Sequence, residues 1–183
     1  MDNLRFIRET MEGAALFTAV SGLAEMAVGA TALVAAWLAH LQSDLSGWLT
    51  VWLFEAVVAS TLTVGGILIK ARRARISVFS KPGRRFALGL APPIFAGAIL
   101  TPILLELEAA HLLPGLWLLL YGTAIVTGGA FSVRIVPVMG ACFMLLGCLA
   151  LFTPAPWANP MLATGFGGVH LIFGAVIAWR HGG

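Results

Sequence analysis

The run LLPGLWLLLYGTAIVTGGAFSV, residues 112–133, has no charged side chain, and its reading decides the fold. A helix rises about 1.5 Å per residue, so about 20 consecutive apolar residues cross a hydrocarbon core of about 30 Å. Similar stretches lie on both sides of this one, at 14–39, 48–69, 86–105, 135–153 and 161–179. Barrel strands would be about 10 residues long and would alternate in polarity; the runs 116–120 and 143–151 do not alternate. The expected fold is therefore all-α: a polytopic membrane protein of six transmembrane helices, forming one transmembrane domain over residues 1–183.

Composition leads to the same class. Of 183 residues, 60% are apolar and 10% charged, whereas soluble proteins carry roughly 25% charged residues. Water is a poor solvent for such a surface. The N-terminal segment mixes both charge signs ahead of a long apolar run, so the first span is expected to remain as an anchor rather than to be cleaved. Cys142 and Cys148 fall inside the fifth span, away from any oxidising loop, and read as small packing residues. There is no Walker loop, paired-cysteine motif or H-E-x-x-H, so the expectation is no cofactor, no metal, no catalytic residue and no nucleic-acid partner.

All 11 Lys and Arg fall on one side of a six-span arrangement. Arg5 and Arg8 precede the first span. Lys70, Arg72, Arg73, Arg75, Lys81, Arg84 and Arg85 fill the connection between the second and third, Arg134 follows the fourth, and Arg180 follows the sixth. By the positive-inside rule that side, with both termini, is cytoplasmic in a cell inner membrane. The seven basic residues from Lys70 to Arg85 either orient the chain or also contact anionic lipid headgroups.

An internal repeat is legible as well. Gly22, Met26, Gly29, Ala32 and Leu33 in the first span recur at the same spacing as Gly140, Met144, Gly147, Ala150 and Leu151 in the fifth. In the even-numbered spans a small residue, a Gly and an Arg recur at six-residue intervals: Ser60, Gly66 and Arg72; Gly122, Gly128 and Arg134; Gly168, Gly174 and Arg180. The six spans thus read as three pseudo-repeated helical hairpins, at about 14–72, 86–134 and 135–180. Small residues at such spacings let helices approach closely in lipid.

Three short hairpins, a Gly-x6-Gly helix ending near a Pro (Gly140, Gly147, Pro154) and a return helix of the form Gly-x5-Gly-x5-Arg resemble the HdeD-like family of short-repeat bacterial membrane proteins. The third hairpin matches best, the second least. The resemblance implies a role in acid resistance or envelope stress and no catalytic residues.

Ionisable groups inside a span cost about 2.5–3.5 kcal/mol at the helix centre on insertion scales, so each one suggests a function. Glu25 lies near the middle of the first span, His170 near the middle of the sixth, and Glu55 inside the outer end of the second. Counted from opposite ends, Glu25 and His170 share nearly the same depth. Were the first and sixth helices neighbours, these two would form a titratable pair, either a static buried pair or a proton-binding element. Glu55 either snorkels outward or joins Glu106 and Glu108 in an acidic mouth. Pro92 and Pro93 are expected to break or kink the third span, and broken helices often line transporter sites.

Ala19-Val20-Ser21-Gly22 with a distant His170 also resembles the Ser and His helices of rhomboid intramembrane proteases, although Ala19 stands where that motif has Gly and Ser21 lies nearer the cytoplasmic side. Three functions therefore follow as expectations. The first is a non-enzymatic membrane protein with a buried Glu–His pair. The second is a small transporter or channel around Glu25, Glu55 and His170. The most remote is an intramembrane serine protease. Membrane lipids are the expected partner, and homo-oligomers are compatible with the sequence.

Overall fold

The computed structural model describes residues 16–181. Arg5, Arg8 and the expected start of the first span at residue 14 lie outside them. Among the described residues, six helices are long and apolar enough to cross a membrane: α1 (Gly22–His40), α2 (Leu45–Arg73), α3 (Lys81–Glu106), α4 (Ala110–Gly129), α5 (Ile135–Phe152) and α6 (Ala155–His181). The shortest, α5, has 18 residues, about 27 Å at the helical rise. The described residues form no sheet; their one β-bridge joins Phe17 to Ser132.

The first spanning helix of the described residues, α1, begins at Gly22, eight residues later than hydropathy suggests. Ser21 is its N-cap, extended at φ −94° and ψ 115°, and its hydroxyl accepts from the Ala24 N–H at 3.4 Å. The preceding segment is drawn into the bundle instead of continuing the helix. The Phe17 N–H donates to the Phe131 carbonyl at 2.7 Å, Ser132 Oγ donates to the Phe17 carbonyl at 2.6 Å, and the Phe17 ring packs 5.0 Å from Phe86. An apolar cluster of Phe17, Val20, Phe86, Ile125, Val136 and Ile177 closes this end of the bundle.

The same end collects the basic residues. Lys70 Nζ donates to the carbonyls of Val20 and His181, each at 2.8 Å, so this ammonium ties α2 to the start of α1 and the end of α6. The Arg85 guanidinium lies 5.8 Å from the centre of the Phe131 ring. Arg72, Arg73, Arg75, Lys81 and Arg84 are exposed.

Neighbours in sequence are not always neighbours in space. α1 lies between α2 and α6, and α4 lies between α3 and α5. α5 packs far more extensively on α4 than on its successor α6, and α2 and α3 are not packed side by side. Two of these seams are built alike from glycine. On α6, a Cβ at Gly174 would sit 2.7 Å from the Met26 nitrogen and 2.9 Å from the Gly22 carbonyl. On α4, a Cβ at Gly122 would sit 2.6 Å from the Met144 nitrogen and 2.7 Å from the Gly140 carbonyl. Lipid supplies little hydrophobic drive between helices, so association rests on this close backbone approach.

Of the break or kink expected at Pro92 and Pro93, a break does not occur: α3 runs continuously from Lys81 to Glu106 through Pro92, Pro93 and Pro102. Pro93 has no N–H to give the Gly89 carbonyl four residues back. Thr127 of α4 supplies the missing donor, its Oγ1 lying 2.7 Å from that carbonyl. A neighbouring helix thus repairs the ladder, as Ser and Thr side chains do in lipid.

Candidate functional site

Between the helices lies a cavity of about 600 Å³. Its floor at the basic end is Phe17, Val78 and Phe86; its far end carries Trp52, Thr101 and Trp117. Glu25 of α1, Glu55 of α2, Tyr121 of α4 and His170 of α6 all reach its wall, as does Pro93 of α3.

Glu25 and His170 are brought together because α1 and α6 pack face to face at Gly22, Gly29, Gly167 and Gly174. Glu25 Oε2 lies 3.5 Å from His170 Nε2, and the two residues are 6% and 1% exposed. Their shared depth, readable from the sequence, thus becomes a buried ion-pair contact. Immediately before His170, the run Ala163–Val169 is a π-helix. Such wider turns are rare and concentrate at functional sites. This one contains Gly165, Gly167 and Gly168, and a Cβ at Gly165 would strike the Leu118 side chain.

The hydrogen bonds settle the tautomer of neutral His170. Nδ1 lies 2.9 Å from the Phe166 carbonyl, which only accepts, so Nδ1 carries the hydrogen. Nε2 then presents its lone pair, and the Tyr121 hydroxyl donates to it at 2.8 Å. Tyr121, Phe143 and Phe166 surround the imidazole with ring centroids 5.4, 5.0 and 6.3 Å away. Two arrangements have no net charge: a protonated Glu25 beside neutral His170, or a Glu25 carboxylate beside a His170 imidazolium. The cluster can therefore hold one proton at either of two places, and the burial of both side chains penalises net charge.

Glu55 turns inward rather than snorkelling and is 7% exposed. Its Oε1 lies 2.8 Å from Thr31 Oγ1 of α1. That hydroxyl also faces the carbonyls of Val28 at 3.0 Å and Ala27 at 3.2 Å. Glu106 and Glu108 are exposed at the end of α3 and do not line the cavity, so no acidic mouth forms with Glu55.

Ser21 and His170 do not form a dyad. Ser21 caps α1, and both ring nitrogens of His170 are engaged by Phe166, Tyr121 and Glu25. Among the described residues no group of three or more His, Cys, Asp or Glu is placed to hold a metal ion.

Two residues that hydropathy left unnoticed complete the site. Tyr121, the chain's one tyrosine, sits inside a span, which was the available signal. Asn159 ties the far end together: its Nδ2 donates to the Ala36 carbonyl at 2.6 Å, and its Oδ1 accepts from the indoles of Trp48 at 3.3 Å and Trp52 at 3.1 Å. Trp48 in turn stacks on Trp117 at 5.7 Å. No protein-family model, curated protein or solved structure matches this chain.

Proposed function

We propose that the protein is a non-enzymatic membrane carrier that binds a small molecule in its central cavity and couples that binding to a proton held by Glu25, His170 and Tyr121. The observation that carries this reading is the meeting of three intramembrane ionisable groups, Glu25, Glu55 and His170, on the wall of a single cavity of about 600 Å³. That volume lies within the range of about 300–1,000 Å³ typical of small-molecule sites. Glu25, Glu55 and His170 reach the wall of that cavity from three different helices, a convergence that packing alone does not require.

In this reading the basic end faces the cytoplasm, and Arg72, Arg73, Arg75, Lys81, Arg84 and Arg85 meet anionic headgroups there. The matching glycine seams of α1 with α6 and of α5 with α4 support descent from a repeated unit. An acid-stress role, which the HdeD-like resemblance implies, draws on the same Glu25–His170 pair.

Proteoliposomes containing a trapped pH indicator test the reading. Under an imposed pH gradient or membrane potential, the wild-type chain is expected to move protons faster than empty liposomes, and Glu25→Gln is expected to abolish the difference. Rates equal to those of empty liposomes under every gradient would remove transport and leave a static pair.

A further inference from the structure

The cavity is open on one side. α2 and α3 line opposite walls without packing together, and several of their lining residues, among them Leu53, Ala56 and Val64 on α2 and Ile94 and Ala98 on α3, are exposed. These helices are membrane spans, so the opening faces lipid and not water.

The lining has a definite chemistry. It contains two carboxyl groups, Glu25 and Glu55, and neither Lys nor Arg. Oε1 of Glu25 and Oε2 of Glu55 have no hydrogen-bond partner among the described residues. Both residues are more than nine-tenths buried. Most of the remaining wall is aliphatic or aromatic, including Trp52, Phe86, Trp117, Tyr121 and Phe166.

Four occupants can be compared on these grounds. A lipid acyl chain would press hydrocarbon against two carboxyl groups and leave their free oxygens unsatisfied, which is costly. An organic anion would meet two carboxyl groups and no Lys or Arg, and the one imidazole on the wall, His170, already faces Glu25 and Tyr121. A bare metal ion needs several oxygen ligands at short range, and the walls are mostly carbon. An organic cation with an apolar body satisfies every part of the wall at once, because carboxylates pair with its charge and aromatic faces attract cations.

Resting on the small-molecule reading above, we propose that the cavity takes an amphipathic organic cation, an aromatic or aliphatic body bearing an amine or onium head, directly from the bilayer through the gap between α2 and α3, with the head held by Glu25 and Glu55.

Tetraphenylphosphonium and tetraphenylborate, nearly equal in shape and opposite in charge, separate the possibilities in equilibrium binding to the full chain in nanodiscs of neutral lipid. The cation is expected to bind and the anion to bind at least tenfold more weakly. Glu25→Gln and Glu55→Gln are each expected to weaken the cation tenfold or more. Ala56→Trp, which narrows the gap and leaves both carboxyls in place, is expected to lower the association rate of the cation, followed by stopped-flow fluorescence on the same nanodiscs, by a similar factor. Size-exclusion profiles of each variant must match wild type; if the glutamine variants fail this, Ala56→Trp alone decides. Binding of both ions alike, or cation binding indifferent to these substitutions, would overturn the cation assignment while keeping a small-molecule cavity. Binding of neither ion would overturn both.

Discussion

The Tyr121 hydroxyl lies 2.8 Å from His170 Nε2, to which it donates when the imidazole is neutral, and this bond ties α4 to α6 beside Glu25. Tyr121→Phe removes the donor and leaves the ring in place. A buried hydrogen-bond partner is worth about 1–3 kcal/mol when its removal strands the other group, so the variant is expected to lose stability by that amount in detergent. Nitrogen-15 NMR of labelled histidine gives a second readout. Neutral His170 is expected to show a protonated Nδ1 and a bare Nε2, with the Nε2 shift moving in Tyr121→Phe. A protonated Nε2 in neutral wild-type His170 would refute the tautomer.

The proline repair makes a thermodynamic cycle. Thr127→Val removes the hydroxyl that serves the Gly89 carbonyl and is expected to cost about 1 kcal/mol. In a Pro93→Ala background the restored N–H serves that carbonyl from within α3, and the same substitution is expected to cost less than half as much. Equal costs in both backgrounds would show that Thr127 acts by packing alone.

The glycine seams predict which glycines tolerate a methyl group. Gly174→Ala and Gly122→Ala would push backbone against backbone, and each is expected to destabilise by about 1–3 kcal/mol as an overpacking change. Gly65, with nothing within 4 Å of a built Cβ, lies inside α2. There Gly65→Ala is expected to be neutral or to stabilise by about 0.5–1 kcal/mol through helix propensity. Thermal unfolding in one detergent ranks all three.

Asn159 holds three partners at the far end. Asn159→Ala leaves two indole N–H groups and the Ala36 carbonyl without it, and is expected to cost about 1–3 kcal/mol on the scale of buried polar groups. Release of Trp48 and Trp52 is expected to alter the tryptophan emission maximum. Unchanged emission would show that the indoles are held by packing.

Much of the fold is local and therefore legible in the chain. Whether a segment can cross a bilayer depends on its own length and apolarity, which is why α2, α3, α4, α5 and α6 lie where hydropathy places them. The start of α1 is the exception. Residues 16–21 are apolar enough to continue the helix, but Phe17 finds backbone partners at Phe131 and Ser132, more than 100 residues away. Pro92 and Pro93 failed as a break for a related reason, since the compensating hydroxyl of Thr127 belongs to another helix.

The sequence by itself determined the number of spans, their alternation, the gathering of basic residues at one end, and the common depth of Glu25 and His170. Each follows from counting along one chain in a solvent of fixed thickness. Tertiary structure alone decided that α1 and α6 are neighbours, that Tyr121 completes the pair, that Glu55 turns inward to Thr31, and that α2 and α3 stand apart around a cavity. Those outcomes depend on which helices meet at their glycines, and side-chain packing between distant segments leaves no periodic trace in the sequence.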